Sequence, residues 1–200
     1  MRYLVTGGAG FIGSHLAEAL LEAGHHVLVL DDFSTGRHEN LAHLEGHNGF
    51  QLICASVTDP EVTRDCVREV DRVFHLASAV GVRLIIDQPV RTIETIVDGA
   101  ATVLSACARY RKPVLITSTS EVYGKSAKVP FAETDDLVIG PPTFRRWSYA
   151  TAKAMDEFLA LAHWHHSRFR WSLSGCSIRS AHAKAASMAW WFPGSCVRPC

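Results

Sequence analysis

The sequence predicts an α/β protein built on a doubly wound parallel sheet. Strand-like and helix-like segments alternate from the first residue, and the first strand is followed at once by a cluster of glycines that opens a helix. Such an alternation requires parallel pairing of the strands, with helices on both faces of the sheet. We therefore expect one layered domain around a parallel sheet.

Short apolar, β-prone runs predict the strands, and apolar residues at helical spacing predict the helices. Gly24 marks the end of the first helix, because glycine is the preferred residue just beyond a helix C-terminus. In chain order we predict a strand at 3–6, a helix at 14–23, strands at 26–30 and 50–55, a helix at 60–70, a strand at 72–77, a helix at 90–110, a strand at 114–118 and a helix at 148–166.

Length and composition limit the classes of function. The chain has 200 residues, one domain by the usual length prior, with 20 basic and 20 acidic side chains. A balanced charge makes nucleic acid and acidic membrane surfaces poor partners. No apolar run approaches the roughly 20 residues that a membrane-spanning helix needs, and no secretory signal is visible. With six scattered cysteines and no ligand pattern for a metal, we expect a cytoplasmic protein without metal.

The segment from residue 125 to 147 interrupts the alternation with three prolines, one glycine and little periodicity. Irregular loops of this length are uncommon in compact domains unless they have a function. The segment follows the fifth strand, at the end of the sheet where doubly wound folds bind ligands. We expect it to lie beside a ligand.

The glycine cluster after the first strand reads Thr-Gly-Gly-Ala-Gly-Phe-Ile-Gly. It satisfies both GxxGxxG, through Gly7, Gly10 and Gly13, and GxGxxG, with Gly8 in place of Gly7. Glycines let backbone N–H groups approach a pyrophosphate, which the positive end of the following helix stabilises. The pattern therefore predicts a dinucleotide site, although a glycine-rich turn without a ligand is the alternative.

An acidic residue at the end of the second strand indicates which dinucleotide binds. Asp31 follows Gly13 by 18 residues, where a carboxylate can accept hydrogen bonds from both hydroxyls of the adenosine ribose. A 2′-phosphate would be repelled by Asp31 and Asp32, and only Arg37 opposes this repulsion. We expect NAD rather than NADP, the alternative being that the acidic pair merely ends a strand.

Tyr149 and Lys153 lie four residues apart on a predicted helix and share one of its faces. A phenol with a pKa near 10 becomes a base at neutral pH only if its pKa falls by about three units. A neighbouring ammonium and the positive nicotinamide ring could supply that shift. An exposed ion-pair position without catalytic function is the alternative interpretation.

The fifth strand ends in Thr117-Ser118-Thr119-Ser120-Glu121-Val122-Tyr123-Gly124. If the chain stays extended, Thr119 and Glu121 point to the same side. A hydroxyl and a carboxylate would then face the segment 125–147. A solvated, Ser/Thr-rich strand end explains these residues equally well.

Together, these motifs resemble the extended short-chain dehydrogenase/reductase family of NAD-dependent nucleotide-sugar epimerases, dehydratases and decarboxylases. The resemblance covers residues 1–167, interpreted as a Rossmann-like NAD-binding domain with the catalytic Tyr-Lys helix. It rests on TGGAGFIG, Asp31, the segment His75-Leu76-Ala77-Ser78, the strand end described above and Tyr149-x-x-x-Lys153.

The resemblance implies a role for each matching residue. Tyr149 would take the proton from the sugar 4-hydroxyl, Lys153 would hold the nicotinamide ribose and lower the tyrosine pKa, and Thr119 would bind the same sugar oxygen. The implied cofactor contacts are Gly7, Gly10, Phe11, Ile12, Gly13, Asp31, Asp32, Thr35, Leu76, Ala77, Tyr149 and Lys153. Relatives often dimerise through the helices at 90–110 and 149–166, which implies a homodimer.

The residues at 120 and 121 bear on the fate of the 4-keto sugar. Family dehydratases carry Asp-Glu there, and Ser120 replaces that aspartate. Thr-Ser-Glu resembles UDP-glucuronate decarboxylases, whereas UDP-sugar 4-epimerases commonly have a small residue in place of Glu121. Two departures weaken the match: Ile96 stands where the family often has Asn, and Ser56 where it often has Asp. Decarboxylase and 4-epimerase both remain open.

Residues 168–200 form an atypical tail. They contain no acidic residue but three of the six cysteines and three of the five tryptophans. In another reading frame, permitted codons restore the family's apolar sixth strand, so a frameshift after about Ser167 would explain the tail; a genuine divergent tail is the alternative. On the frameshift interpretation the substrate lobe is missing and strand six is damaged. The leading interpretation is an incomplete UDP-sugar enzyme, and the alternative is a catalytically silent NAD-binding module.

Overall fold

The computed structural model describes residues 1–79, 82–167 and 171–175. Its centre is a six-stranded parallel sheet in the order β3-β2-β1-β4-β5-β6. The strands are β1 (Arg2–Thr6), β2 (His26–Asp31), β3 (Phe50–Cys54), β4 (Arg72–His75), β5 (Val114–Ser118) and β6 (Trp171–Gly175). The doubly wound parallel sheet predicted from the sequence is confirmed.

Helices connect the strands and cover the sheet. They are α1 (Phe11–Glu22), α2 (Pro60–Glu69), α3 (Val82–Asp87), α4 (Pro89–Tyr110) and α5 (Trp147–Ser167), with short 3₁₀ turns at His38–Asn40, Ala42–Leu44 and Ser120–Tyr123. Gly24 follows α1 with a φ of +76°, as the sequence predicted. Asp59 caps α2 by accepting the N–H groups of Glu61 and Val62.

Alternating apolar residues in the strands build two cores. On one face, Leu4 and Leu28 lie in a cluster with buried residues of α2, α4 and α5. On the other face, Tyr3 and Val29 pack with α1. This separation follows from the two-residue period of a strand, which sends successive side chains to opposite faces.

The order of the strands reverses at β1, which pairs with β2 on one side and β4 on the other. Connections from β1 and β4 therefore leave in opposite directions, and a crevice opens at the carboxyl ends of the strands. The glycine turn after β1 lies at this crevice.

The structure differs from the sequence-based prediction at several element ends. β4 ends at His75 rather than at residue 77, because Thr6 terminates the pairing: its carbonyl accepts the Leu76 N–H and its hydroxyl accepts the Ala77 N–H. α3 and the 3₁₀ turns were not predicted. In the segment 125–147, a single bridge joins Val138 to Gly124, the residue that precedes the segment.

A sixth strand forms where the sequence indicated a damaged one. Trp171–Gly175 pairs in parallel with all five residues of β5. A strand edge offers backbone donors and acceptors whatever side chains the incoming segment carries, so pairing can override a poor apolar pattern. The rest of the tail proposed as 168–200 lies outside the described residues. No helix in the part that the structure describes is long and apolar enough to cross a membrane.

Candidate functional site

A cleft of about 470 Å³ opens at the carboxyl ends of the central strands. Every residue predicted to contact the cofactor lines this cleft. It is formed by Gly7, Gly10, Phe11, Ile12, Gly13, Leu30, Asp31, Asp32, Ser34, Thr35, Ser56, Val57, Leu76, Ala77, Ser78, Ala79, Arg91, Thr95, Thr117, Ser118, Tyr149 and Lys153.

The floor of the cleft is the glycine turn between β1 and α1. Gly7 has a φ of +71°, and a Cβ at this residue would stand 2.7 Å from the Cα of Ala77. A Cβ at Gly13 would overlap the carbonyl oxygen of Gly7. Only glycine fits these positions, so the backbone comes to the surface of the cleft without side chains over it.

The structure distinguishes the two glycine patterns that the sequence left open. Gly7, Gly10 and Gly13 line the cleft, whereas a Cβ at Gly8 would meet the Val29 side chain at 2.6 Å. Gly8 thus serves the packing of the turn on the sheet. The glycines that line the cleft are therefore spaced as GxxGxxG.

Asp31 joins the end of β2 to the glycine turn. Its carboxylate accepts the Ala9 N–H at 2.9 Å and the Phe33 N–H at 2.8 Å, and the residue is 8% exposed. Burial raises the pKa of Asp31, whereas the two backbone N–H groups oppose that rise. The side chain is therefore fixed in orientation at the wall of the cleft.

The segment after Asp31 also fastens the turn. The carbonyl of Ala9 accepts the Asn40 side-chain amide at 2.8 Å and the Arg37 N–H at 3.1 Å. Arg37 was predicted only as a charge that opposes Asp31 and Asp32, and Asn40 was not predicted as a site residue. These contacts join residues about 30 positions apart, which no local pattern reveals.

Tyr149 and Lys153 lie on one face of α5 and both line the cleft, as the spacing predicted. They are buried, with 9% and 2% of their surfaces exposed. The ammonium of Lys153 donates to Oδ2 of Asp156 at 2.9 Å. Asp156 was not identified from the sequence, although its position three residues after Lys153 is the available signal.

The pKa of Tyr149 differs from the expectation. Burial raises it, and the negative charges of Glu121 and Asp156 raise it further. The Lys153 ammonium was expected to lower this pKa, but it is paired with a carboxylate. A neutral phenol is thus the favoured form of Tyr149 in this arrangement.

The end of β5 does not remain extended, and this corrects the premise for Thr119 and Glu121. The Thr119 hydroxyl accepts the Glu121 N–H at 3.3 Å and caps the 3₁₀ turn Ser120–Tyr123. In the described ranges, Thr117 and Ser118 are the residues of β5 that line the cleft. Neither Thr119 nor Glu121 lines it. Glu121 is nevertheless near enough to affect the pKa of Tyr149.

Several polar groups at the cleft were not anticipated as site residues. Arg91 and Thr95 reach it from α4, and the buried hydroxyl of Ser78 lines it without a protein partner. Ser118 donates a short hydrogen bond to Glu157, which holds β5 against α5. Only helical and strand periodicity could have suggested these positions.

Below the cleft, Nδ1 of His75 lies 2.8 Å from the hydroxyl of Thr6. Burial, together with the Lys153 charge, lowers the pKa of His75 to about 3. The imidazole is therefore neutral at physiological pH. No cluster of potential metal ligands occurs in the described ranges.

Comparisons with known proteins agree with this geometry. The model of the family described as GDP-mannose 4,6 dehydratase matches residues 4–183. The chain is 42% identical over 162 residues to UDP-N-acetyl-alpha-D-glucosaminuronate decarboxylase of Bacillus cytotoxicus, a match that covers 81% of this chain and 50% of that protein. It is 43% identical over 161 residues to UDP-glucuronic acid decarboxylase 1 of Arabidopsis thaliana, covering 80% and 36%. The chain thus spans half or less of these relatives.

Two solved structures have a similar fold. DesIV, the dTDP-glucose 4,6-dehydratase of Streptomyces venezuelae with NAD and TYD bound, superposes with a TM-score of 0.79 at 30% identity, covering 88% of this chain and 55% of that one. UDP-N-acetylglucosamine 4-epimerase of Methanobrevibacter ruminantium M1, in complex with UDP-N-acetylmuramic acid, has a TM-score of 0.77 at 27% identity, covering 86% and 53%.

Proposed function

From the premise that this chain belongs to the GDP-mannose 4,6-dehydratase family, within the extended short-chain dehydrogenases/reductases, we propose that it binds NAD and oxidises the C4 hydroxyl of a UDP-sugar. One observation carries the proposal. The glycine turn, Asp31, Tyr149 and Lys153 come from distant parts of the chain and line the same cleft.

The residues of the cleft fit a dinucleotide. A glycine turn without side chains opens onto the first turn of α1, whose N–H groups have no acceptors within the helix. These N–H groups and the positive helix end suit a pyrophosphate. The unpartnered hydroxyl of Ser78 offers a further polar contact.

Asp31 favours NAD over NADP. Each of its oxygens accepts one backbone N–H and keeps acceptor capacity for a ribose hydroxyl. A 2′-phosphate at this place would meet the charges of Asp31 and Asp32. We propose that Phe11, Ile12, Thr35, Leu76 and Ala77 complete the cofactor contacts with the three glycines.

The bound cofactor would supply the hydride-accepting nicotinamide. Tyr149 would take the proton of the sugar hydroxyl, with Lys153 holding the nicotinamide ribose and Thr119 binding the sugar oxygen. Glu121 would act on this group through its charge, which raises the pKa of Tyr149. Burial of the tyrosine would limit the access of water to the proton transfer.

For the fate of the oxidised sugar we propose decarboxylation, with 4-epimerisation as the alternative. The two curated relatives described above are decarboxylases. The sequence Thr119-Ser120-Glu121 supports the same class, and Ser120 in place of Asp argues against dehydration. UDP-glucuronate or its N-acetylated relative is then the substrate class.

The experiment incubates the purified chain with NAD⁺ and, separately, UDP-glucuronate, UDP-N-acetylglucosaminuronate or UDP-glucose. Chromatography of the nucleotide sugars should show loss of the carboxyl carbon from an acidic substrate; UDP-galactose formed from UDP-glucose would support the epimerase instead. Tyr149→Phe is the matched control, since it removes only the reactive hydroxyl. NAD⁺ binding without turnover of any substrate would contradict the enzymatic proposal.

That last outcome defines a second candidate, a catalytically silent NAD-binding module. The pairing of Lys153 with Asp156 and the raised pKa of Tyr149 favour it, because both disfavour a phenolate. Both candidates bind NAD, so turnover alone separates them.

We also propose that the chain forms a homodimer through α4 and α5. These helices pack together and leave large apolar side chains in solvent. The exposed residues are Val90, Ile93, Met155, Phe158 and Leu161. Several large apolar side chains exposed on two packed helices are the kind of surface that an interface between proteins would cover.

A further inference from the structure

A buried ion pair lies at the wall of the cleft, and one of its two residues, Asp156, has no role in the proposed chemistry. Lys153 and Asp156 lie three residues apart on α5, their side chains are 3% and 1% exposed, and Nζ stands 2.9 Å from Oδ2. Lys153 lines the cleft, whereas Asp156 lies behind it and is not part of the described lining. The lysine therefore has a protein partner on the side away from the ligand.

Asp156 is poorly satisfied apart from this contact. Its second oxygen, Oδ1, is buried and has no hydrogen-bond partner among the residues that the structure describes. Burial raises the pKa of Asp156, and the charge and hydrogen bond of Lys153 oppose that rise. A buried carboxylate costs free energy when one of its oxygens accepts no hydrogen bond. The ionised form of Asp156 therefore depends on the Lys153 ammonium.

The surrounding groups do not replace Asp156 as a counter-ion. On β4, His75 is neutral because its pKa is lowered to about 3. Arg91 reaches the same cleft from α4 and adds positive charge. Glu157 on α5 is bonded to Ser118.

Among the described residues, Glu121, on the 3₁₀ turn after β5, is the other charged group that acts on Tyr149. It raises the tyrosine pKa, as Asp156 does. Since Glu121 is unchanged by a substitution at 156, the two effects can be separated by experiment. Asp156 is the carboxylate that also contacts Lys153.

We propose that Asp156 is a positioning residue that holds the Lys153 ammonium and offsets its charge beside Tyr149. The tyrosine then becomes a base only when Lys153 gives up part of this contact for the ribose of a dinucleotide in the cleft. The change of Tyr149 on ligand binding rests on the proposed function, whereas the effect of Asp156 on Lys153 concerns the chain alone. Asp156 thus limits deprotonation of Tyr149 to the ligand-bound state.

The test measures the titration of Tyr149 in the protein without added dinucleotide. Tyrosine labelled with ¹³C at Cζ reports phenol ionisation by NMR, and Tyr149→Phe identifies the resonance among the four tyrosines. In Asp156→Asn, which keeps the shape and removes the charge, the Tyr149 pKa should fall by about one unit. Asp156→Glu should preserve the high pKa, and Asp98→Asn, on the exposed face of α4, should leave it unchanged.

A second measurement follows NAD⁺ binding by isothermal titration calorimetry. Asp156→Asn should bind roughly three- to tenfold more tightly, because Lys153 no longer leaves a carboxylate. If Asp156→Asn does not fold, Asp156→Ala provides the same two comparisons, since alanine is the best helix former.

An unchanged or higher Tyr149 pKa in the folded variant would overturn the proposal, because it would mean that Asp156 keeps Lys153 charged rather than offsetting its charge. If neither protein binds NAD⁺, the proposed function fails, and the NMR titration still decides the role of Asp156.

Discussion

The carboxylate of Asp31 accepts the backbone N–H of Ala9 at 2.9 Å, across 22 residues of sequence. The acid that we propose as the ribose ligand is therefore also a support of the glycine turn. In the proposed complex, recognition of the ribose and the shape of the glycine turn would depend on the same side chain.

Replacing Asp31 by alanine should affect both properties. We expect the unfolding free energy to fall by about 1–3 kcal/mol, because one buried and one partly buried N–H group lose their acceptor. NAD⁺ affinity should fall at least tenfold. Urea denaturation and calorimetry measure these effects. Asp32→Ala is the control, since Asp32 also lines the cleft but is exposed; equal losses in both variants would contradict the dual role.

Gly7→Ala should damage the turn far more than a glycine substitution elsewhere. The added Cβ would stand 2.7 Å from the backbone of Ala77 at a φ of +71°. Gly24 has a similar φ of +76° but open space around a Cβ. We expect Gly24→Ala to cost about 1–2 kcal/mol, from the left-handed backbone alone, and Gly7→Ala clearly more, with loss of NAD⁺ binding. Similar thermal midpoints for the two variants would disprove the steric explanation.

His75 should make folding sensitive to acid. Its pKa in the folded chain is about 3, far below the ordinary value of 6.5. A lowered folded pKa stabilises the protein fully above pH 6.5, and the stabilisation is lost as the pH falls towards 3. At about 1.36 kcal/mol per unit, this loss is roughly 2 kcal/mol by pH 5. Denaturation of wild type and His75→Gln between pH 8 and 5 measures it; parallel curves would show that His75 is not the cause.

Tyr149→Phe should separate chemistry from binding. The ring is 9% exposed and packs with Ile85 and Ile96, so we expect stability to change by less than about 1 kcal/mol. Turnover should fall by at least a hundredfold, the usual contribution of general acid–base catalysis, whereas the NAD⁺ dissociation constant should stay within a few-fold. Measurable turnover close to that of wild type would remove Tyr149 from the mechanism.

Phe158→Glu should weaken the proposed dimer. Phe158 is 61% exposed on α5, and Phe144, in the irregular segment, is also 61% exposed. Introducing a charge at an apolar interface opposes association, whereas the same change at Phe144 should have no effect on it. Sedimentation velocity distinguishes the two variants. A wild-type monomer at micromolar concentration, or equal behaviour of both variants, would contradict the homodimer.

Much of the fold and of the cofactor site could be predicted because the signals are local. Periods of two and 3.6 residues identified the predicted strands and helices, and the position of the glycines between a strand and a helix located the turn. The distance from Gly13 to Asp31 reflects one intervening helix and strand. In each case, neighbours along the chain determine the conformation.

Tertiary structure decided the rest, because contacts between distant residues leave no periodic signal. Gly8 packs on Val29, so of the two glycine patterns only the one with Gly7 has all its glycines at the cleft. The Thr119 hydroxyl caps a 3₁₀ turn, so Glu121 does not continue the extended strand. The edge of β5 provided a place for a sixth strand that its own sequence did not indicate.

The state of the proposed catalytic pair shows the same division. The spacing of Tyr149 and Lys153 was enough to place them on one face of a helix. Burial and the folded surroundings of α5 decided that Lys153 pairs with Asp156 and that Tyr149 keeps a raised pKa. Sequence determines which groups share a helix face, but exclusion of water and the charges brought in by other elements set their protonation, and both exist only in the folded chain.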